Sequence, residues 1–125
     1  LEARIELREG DARALPLRDA EVDTALAHMV LHYLPSPREA IQEMARIVKP
    51  GGVVTIVDFC KHDKEWMREE LGVLWLGFPE SEVIDWFQDA GLIEIQLEAQ
   101  SPTSAKRDLP SAFIASGRKE KKRRS

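Results

Sequence analysis

The stretch from Ser36 to Phe59 most constrains the fold, because it predicts a helix, a tight turn and a buried strand in immediate succession. Ser36 is a favoured N-cap residue, and Pro37 suits the first helical turn, where its missing N–H has no intrahelical partner. Apolar residues then recur at three- and four-residue spacing up to Lys49, with charged residues between them. Pro50 cannot continue the helix, and two glycines follow it.

The run Val53–Val57 after these glycines is rich in β-branched residues and lacks polar alternation. Such a run is typical of a strand that is covered on both faces in a parallel sheet. The sequence therefore predicts an α/β fold, with this strand at the centre and helices on both faces of a mostly parallel sheet.

Other apolar patterns predict the remaining elements. Strands are expected at Ile5–Glu9, Val22–Met29, Leu92–Glu98 and Ala112–Ser116, and helices at about Lys64–Leu71 and Glu80–Ala90. The alternation in Leu92–Glu98 indicates an edge strand, whereas Ala112–Ser116 is apolar throughout its centre. We therefore expect the last strand to run antiparallel and to insert between Val53–Phe59 and Leu92–Glu98.

Composition narrows the class of protein. A hydrophobic fraction of 43% in 125 residues suits one domain with a real core. The single cysteine, Cys60, excludes an intrachain disulfide, and no apolar run approaches the roughly 20 residues of a membrane span. No signal peptide is recognisable, so the cytoplasm is the expected location, without a membrane partner.

The charge of the chain is divided between an acidic body and a basic end. Residues 118–125 hold six basic side chains against one acidic, although the formal net charge of the whole chain is -4. We expect a domain over residues 1–117 and a disordered basic tail over residues 118–125. The acidic body makes nucleic acid an unlikely partner for this domain.

Several chemically capable residues are predicted to share one edge of the sheet, because ligands in open α/β sheets bind beyond the carboxyl ends of the strands. This edge is expected to hold Asp11, Ala12, His28, Met29 and Asp58.

Other side chains near this edge leave their roles open. His32 and Tyr33 fit packing under the helix better than general-base chemistry. Cys60 and His62, with Asp63, lack the paired spacing of a zinc site, so no metal is predicted. The aromatic residues can form core, interface or lid; they are Trp66, Trp75, Phe78 and Trp86.

The order of elements, together with four short motifs, resembles the C-terminal two-thirds of a class I S-adenosylmethionine-dependent methyltransferase. The motifs are Gly10-Asp11-Ala12 followed by Leu15-Pro16, Val22-Asp23 leading into Leu31-His32, Ala45 to Gly52, and Ala90-Gly91-Leu92. The segments His62–Arg68 and Leu76–Phe78 are similar to methyltransferase domains fused behind arsenic-repressor-type winged-helix regulators.

The resemblance implies a function and a set of cofactor contacts. It implies methyl transfer from S-adenosylmethionine to a small-molecule acceptor, with no catalytic residue assigned. By position, it places Asp11 at the adenine amino group, Ala12 beside the adenine, and His28 with Met29 at the strand end that faces the sulfonium. A different class stays open: a non-catalytic domain of this fold that serves a transcription regulator as a sensor or as a homodimerisation module.

The chain also departs from this family. The glycine-rich loop and the acidic ribose-binding residue of the family's first strands have no counterpart here, and no Gly-x-Gly occurs in the sequence. We therefore expect N-terminal strands to be missing, and a cofactor pocket built from this chain alone to lack one wall. In the family, two strands lie between the counterparts of Ile5–Glu9 and Val22–Met29. An upstream segment is the favoured explanation; strand exchange with a second chain and direct pairing of the two strands are the alternatives.

Overall fold

The strands form one mixed sheet with helices packed against it. The computed structural model describes residues 4–7, 20–100 and 109–121. The strands are β1 (Arg4–Leu7), β2 (Val22–His28), β3 (Val48–Phe59), β4 (Leu92–Gln100) and β5 (Ala112–Lys119), and the helices are α1 (Pro37–Ile47), α2 (Glu65–Leu71) and α3 (Glu80–Asp89). Within these ranges the strand order is β1-β2-β3-β5-β4.

The last strand lies inside the sheet. β5 is antiparallel to both of its neighbours, and Ala115 pairs with Ile56 of β3 and with Leu97 of β4. Ala115 and Phe113 are fully buried, whereas Glu98 on β4 is exposed. An apolar strand belongs at the centre and an alternating strand at the edge. The predicted α/β class and the antiparallel insertion are both confirmed.

The first strand pairs directly with the second. β1 is parallel to β2, with Ile5 opposite Ala25, and β2 is parallel to β3, with Ala25 opposite Val54. Of the three arrangements considered for these strands, direct pairing is the one that this structure adopts. It gives the β1 side of β2 a hydrogen-bonding partner, which an open edge would lack.

One face of the sheet carries the main core. Helices α1 and α3 contact each other and share a buried cluster with the sheet, which includes Ile41, Met44, Phe87, Val54 and Ile56. Side chains on the other face, such as Leu26, Val57 and Ile114, are only half-buried or exposed. Helix α2 is not part of this cluster, because its Met67 packs in a second, smaller cluster to which Phe59 of β3 contributes.

Two details of the helices differ from prediction. Helix α1 ends at Ile47 rather than Lys49, because Val48 already pairs with Val22 in the sheet. Ser36 precedes α1, but its side chain makes no capping hydrogen bond. In the short helix α2, Met67 is buried, whereas Leu71 is 48% exposed.

The sequence prediction placed the start of the disordered tail at Arg118, which is too early in the chain. β5 continues through Arg118 and Lys119, where Arg118 pairs with Val53 and forms an ion pair with Glu94 at 3.2 Å. Lys119 Nζ donates hydrogen bonds to the carbonyls of Arg46 and Val48, at 3.3 and 3.0 Å. The tail prediction is thus wrong for these two residues, and residues 122–125 lie outside the described ranges.

The helices in the described ranges are short. None of them combines the length and the hydrophobicity that a membrane-spanning helix requires.

Candidate functional site

The turn after β2 lies at the carboxyl edge of the parallel strands. His28 ends β2 opposite Val57 and is exposed to solvent. Met29 follows with φ 56°, a left-handed conformation that is uncommon for a non-glycine residue, and its N–H donates to the carbonyl of Val57 at 2.7 Å. His28 and Met29 thus share one edge as predicted, but their contact with a cofactor stays a prediction. Asp11 and Ala12 lie outside the described residues.

A buried ionisable pair lies beneath this edge. His32, in the 3-10 turn Leu31–Tyr33, approaches Asp58 of β3 with 2.6 Å between Nδ1 and Oδ1. Asp58 Oδ1 also accepts the N–H of Phe59 at 2.8 Å, while Oδ2 is buried without a partner among the described residues. Both side chains are almost fully buried. Sequence reasoning placed Asp58 at the edge but missed the pair, although the alternation of Val54, Ile56 and Asp58 toward the core could have indicated it.

The segment 73–78, here called the aromatic loop, is attached to the turn that holds His32. The carbonyl of His32 accepts N–H groups from Leu74 at 2.8 Å and from Trp75 at 3.2 Å. Trp75 Nε1 donates to the carbonyl of Leu34 at 2.7 Å. The loop is therefore anchored over the carboxyl edge of the sheet by backbone and indole hydrogen bonds.

The aromatic loop also pairs with the end of β3. Phe78 N–H donates to the carbonyl of Phe59 at 3.0 Å, and Lys61 N–H donates to the carbonyl of Phe78 at 3.2 Å. Gly77 has φ 70°, and a Cβ there would lie only 2.0 Å from the carbonyl oxygen of Cys60. Only glycine fits this close approach of two backbones.

A pocket of about 190 Å³ opens beside the aromatic loop. Its walls include Trp75, Phe78 and Trp86, and Lys61 and Glu82 also line it. Phe78 and Trp86 are mostly core residues, at 3% and 8% exposure, whereas Trp75 is 42% exposed. Phe78 and Trp86 therefore belong both to the core and to the pocket wall, whereas Trp75 belongs to the wall; the sequence had left these roles open.

The pKa values of Cys60 and His62 are shifted from their ordinary values. Burial, reinforced by the negative charge of Glu80, raises the pKa of the Cys60 thiol, so the thiolate is disfavoured at neutral pH. Burial, followed by the positive charges of Lys64 and Lys61, lowers the pKa of His62.

One hydrogen bond fixes the tautomer of His62. His62 Nδ1 accepts the N–H of Lys64 at 3.1 Å, and Nε2, which then carries the proton, is buried without a partner in the described ranges. Among these residues no group of three possible metal ligands occurs.

Comparisons with known proteins point to one family. Residues 1–56 match the family described as a methyltransferase domain. A 2-methyl-6-phytyl-1,4-hydroquinone methyltransferase of rice, Oryza sativa subsp. japonica, is 31% identical over 99 residues, which are 78% of this chain and 30% of that protein. A demethylmenaquinone methyltransferase of Desulfitobacterium hafniense is 47% identical over 57 residues, or 46% of this chain and 22% of that protein.

A solved structure of a methyltransferase has the same fold as the described residues of this chain. A SAM-dependent methyltransferase of Methanosarcina mazei superposes with a TM-score of 0.72 at 19% identity, over 90% of this chain and 66% of that one. This chain spans about a third or less of the length of the two curated relatives named above. The described residues thus adopt the Rossmann-like fold of class I methyltransferases, and the N-terminal part of the chain matches the methyltransferase domain family.

Proposed function

We propose that this chain contributes to an S-adenosylmethionine-dependent methyltransferase that acts on a small molecule. The observation that carries the proposal is the sheet order β1-β2-β3-β5-β4, with an antiparallel strand inserted beside β3, in a chain that matches the methyltransferase domain family. The Methanosarcina structure of the same fold is a SAM-dependent enzyme. Fold alone does not fix function, so the argument also depends on the edge of the sheet.

The residues present fit one side of a cofactor site. His28 is an exposed imidazole at the carboxyl end of β2, and Met29 follows it at the same edge in a left-handed conformation. His28 and Met29 would therefore border the cofactor on this side. Asp11 and Ala12 are proposed for the adenine by the resemblance alone.

Methyl transfer requires the protein mainly to orient the acceptor relative to the cofactor. S-adenosylmethionine supplies an electrophilic methyl group when bound, and the protein aligns the acceptor for an in-line displacement. The His32–Asp58 pair and the aromatic loop support this task, because they fix the turn after β2 and the end of β3 relative to each other. A rigid edge favours a single acceptor orientation.

Calorimetric titration with S-adenosylmethionine tests the proposal. We expect binding by a chain extended to the length of its relatives, and a loss of about tenfold in affinity for His28→Ala, since an ordinary polar contact contributes on the order of 1 kcal/mol. Gln42→Ala, an exposed change on α1, is the matched control. Absence of binding in the extended chain would refute the cofactor assignment. Binding without methylation of any acceptor would favour a non-catalytic sensor instead.

Three finer proposals depend on the sequence. They are a cytoplasmic location, fusion behind a winged-helix regulator, and formation of a homodimer. Sedimentation of the purified protein at several concentrations tests the last of these, because a concentration-independent monomer mass contradicts it.

A further inference from the structure

Two side chains of opposite charge, Lys61 and Glu82, line the pocket beside the aromatic loop. In the part of the chain that the structure describes, neither side chain makes a hydrogen bond or an ion pair, so the two charges do not neutralise each other across the pocket. An ammonium group and a carboxylate that line one cavity without pairing can each attract an opposite charge on a ligand. The pocket therefore offers one place for an anion and one for a cation.

These two charges start from backbone positions that are fixed on different elements. Lys61 lies two residues after β3, and its N–H donates to the carbonyl of Phe78 at 3.2 Å. Glu82 lies in the first turn of α3, where its N–H donates to the carbonyl of Pro79 at 3.1 Å. Because Phe78 and Pro79 are neighbours in the chain, both charges are anchored at the end of the aromatic loop.

The wall of the pocket is a preformed aromatic surface. The ring of Trp75 is 42% exposed, yet its Nε1 is fixed by the 2.7 Å hydrogen bond to Leu34. Its centroid lies 6.4 Å from that of Phe78, which in turn lies 5.3 Å from that of Trp86 at an interplanar angle of 74°. Aromatic faces attract an ammonium group as well as apolar groups. The wall can therefore bind an apolar side chain next to a positive charge.

The charges around the pocket disfavour a ligand that carries only one sign. Two helices begin at the pocket, α1 at Pro37 and α3 after Pro79, and the partial positive charge of their N-terminal ends adds to that of Lys61. A simple cation would be repelled by this group, and a simple anion would be repelled by Glu82. A ligand with both a carboxylate and an ammonium group meets neither penalty.

The volume fits a small zwitterion. An apolar cavity of about 150 Å³ can hold benzene, so a pocket of about 190 Å³ admits an apolar group of similar size. We propose that this pocket binds a free amino acid with an apolar side chain. The side chain packs against Trp75, Phe78 and Trp86, the carboxylate pairs with Lys61, and the ammonium group pairs with Glu82. This inference goes beyond the proposed function and gives the pocket no part in methyl transfer.

The three tryptophans of the chain provide an internal control for binding. Trp75 and Trp86 line the pocket, whereas Trp66 packs against a separate cluster that contains Met67. In a titration of the 125-residue chain with L-leucine, followed by the indole N–H resonances in two-dimensional NMR, the signals of Trp75 and Trp86 should shift and that of Trp66 should not. Equal shifts of all three signals, or no shift, would overturn the proposal.

Two analogues of leucine each lack one of its charges. The amine 3-methylbutylamine has no carboxylate, and 4-methylpentanoate has no ammonium group. We expect each to bind at least about threefold more weakly than L-leucine, because each leaves one charge of the pocket opposed. Equal affinity for the amine would show a cation cage, and equal affinity for the acid would show an anion site. Equal affinity for all three would show an apolar cavity in which Lys61 and Glu82 neutralise each other, and each of these results contradicts the zwitterion assignment.

Crossed measurements with variants assign each charge of the ligand to its partner. Lys61→Met should weaken L-leucine binding about threefold without weakening that of 3-methylbutylamine, which has no carboxylate to lose. Glu82→Gln should weaken L-leucine binding by a similar factor without weakening that of 4-methylpentanoate. A variant that merely damaged the pocket would weaken all three ligands alike, so the crossed pattern separates recognition from misfolding.

Two exposed charges away from the pocket lining serve as matched controls. Asp85→Asn lies on the same helix as Glu82, and Lys121→Met lies beyond β5. Both variants should bind L-leucine with the affinity of the parent chain. Unchanged affinity in Lys61→Met and Glu82→Gln, or an equal loss for all three ligands in either variant, would refute the site.

Discussion

His32 Nδ1 and Asp58 Oδ1 lie 2.6 Å apart in the interior of the protein, and this contact joins the turn after β2 to the end of β3. Because a buried ion or strong hydrogen-bond partner left alone is costly, Asp58→Ala should lower the free energy of unfolding by roughly 3–5 kcal/mol. Urea denaturation measures the change.

The matched control for this change is Asp89→Ala, because the Arg38–Asp89 ion pair is about half exposed on both sides. An exposed pair contributes about 0–1 kcal/mol. If the two variants were equally stable, the His32–Asp58 pair would not hold the edge together.

Gly77 and Gly72 make a second matched pair, since both have φ near 70° but only Gly77 faces a neighbour. Gly72→Ala should cost about 1 kcal/mol from left-handed strain alone. Gly77→Ala should cost at least about 2 kcal/mol more, because its Cβ would overlap the Cys60 carbonyl. Thermal unfolding of both variants checks this, and similar losses would show that the loop yields without cost.

Lys119 closes the C-terminal end of α1 through its hydrogen bonds to the carbonyls of Arg46 and Val48. Lys119→Met should therefore destabilise the protein by about 1 kcal/mol, and the loss should shrink at high salt. Lys121→Met is the control, because Lys121 is exposed beyond the strand. Equal effects of the two substitutions would contradict the capping role of Lys119.

His62 should make stability depend on pH. Its pKa is lowered in the folded protein by burial and by the nearby lysines, so the unfolded chain takes up the proton first. The contribution of neutral His62 to the free energy of unfolding is complete above the ordinary histidine pKa. It is lost as the pH falls below that value toward the lower pKa of His62 in the folded protein. His62→Gln should flatten the unfolding free energy between about pH 7 and pH 5 relative to the parent chain. Parallel curves would contradict this prediction.

Strong local patterns made most of the fold predictable. The apolar centre of Ala112–Ser116 and the alternation of Leu92–Glu98 together indicated the antiparallel insertion that the structure shows. The ends of helices and strands were harder to predict, because they depend on pairing between distant residues. Val48 leaves the helix because it pairs with Val22, and Arg118 stays in the sheet because it contacts Val53 and Glu94.

The site was less accessible from sequence. His28 and Met29 were predicted as ligand contacts because position in an α/β sheet indicates the ligand edge, and that contact stays a prediction. The His32–Asp58 pair joins residues 26 positions apart, and the pocket unites three separate segments through Trp75, Lys61 and Glu82. The alternation of β3 indicates that Asp58 points toward the core, but local periodicity does not identify a partner that is distant in sequence.

The position of β5 has a consequence for the order of events during synthesis. β3 and β4 are joined only through β5, which hydrogen-bonds to both of them. They therefore stay unconnected in the sheet until Ala112–Lys119 has emerged from the ribosome. Until then, the nascent chain presents two open strand edges, which are prone to pair with other chains. Cooperative closure of the sheet therefore waits for a strand that is translated after both of its neighbours, and chaperones that shield strand edges should matter most in that interval.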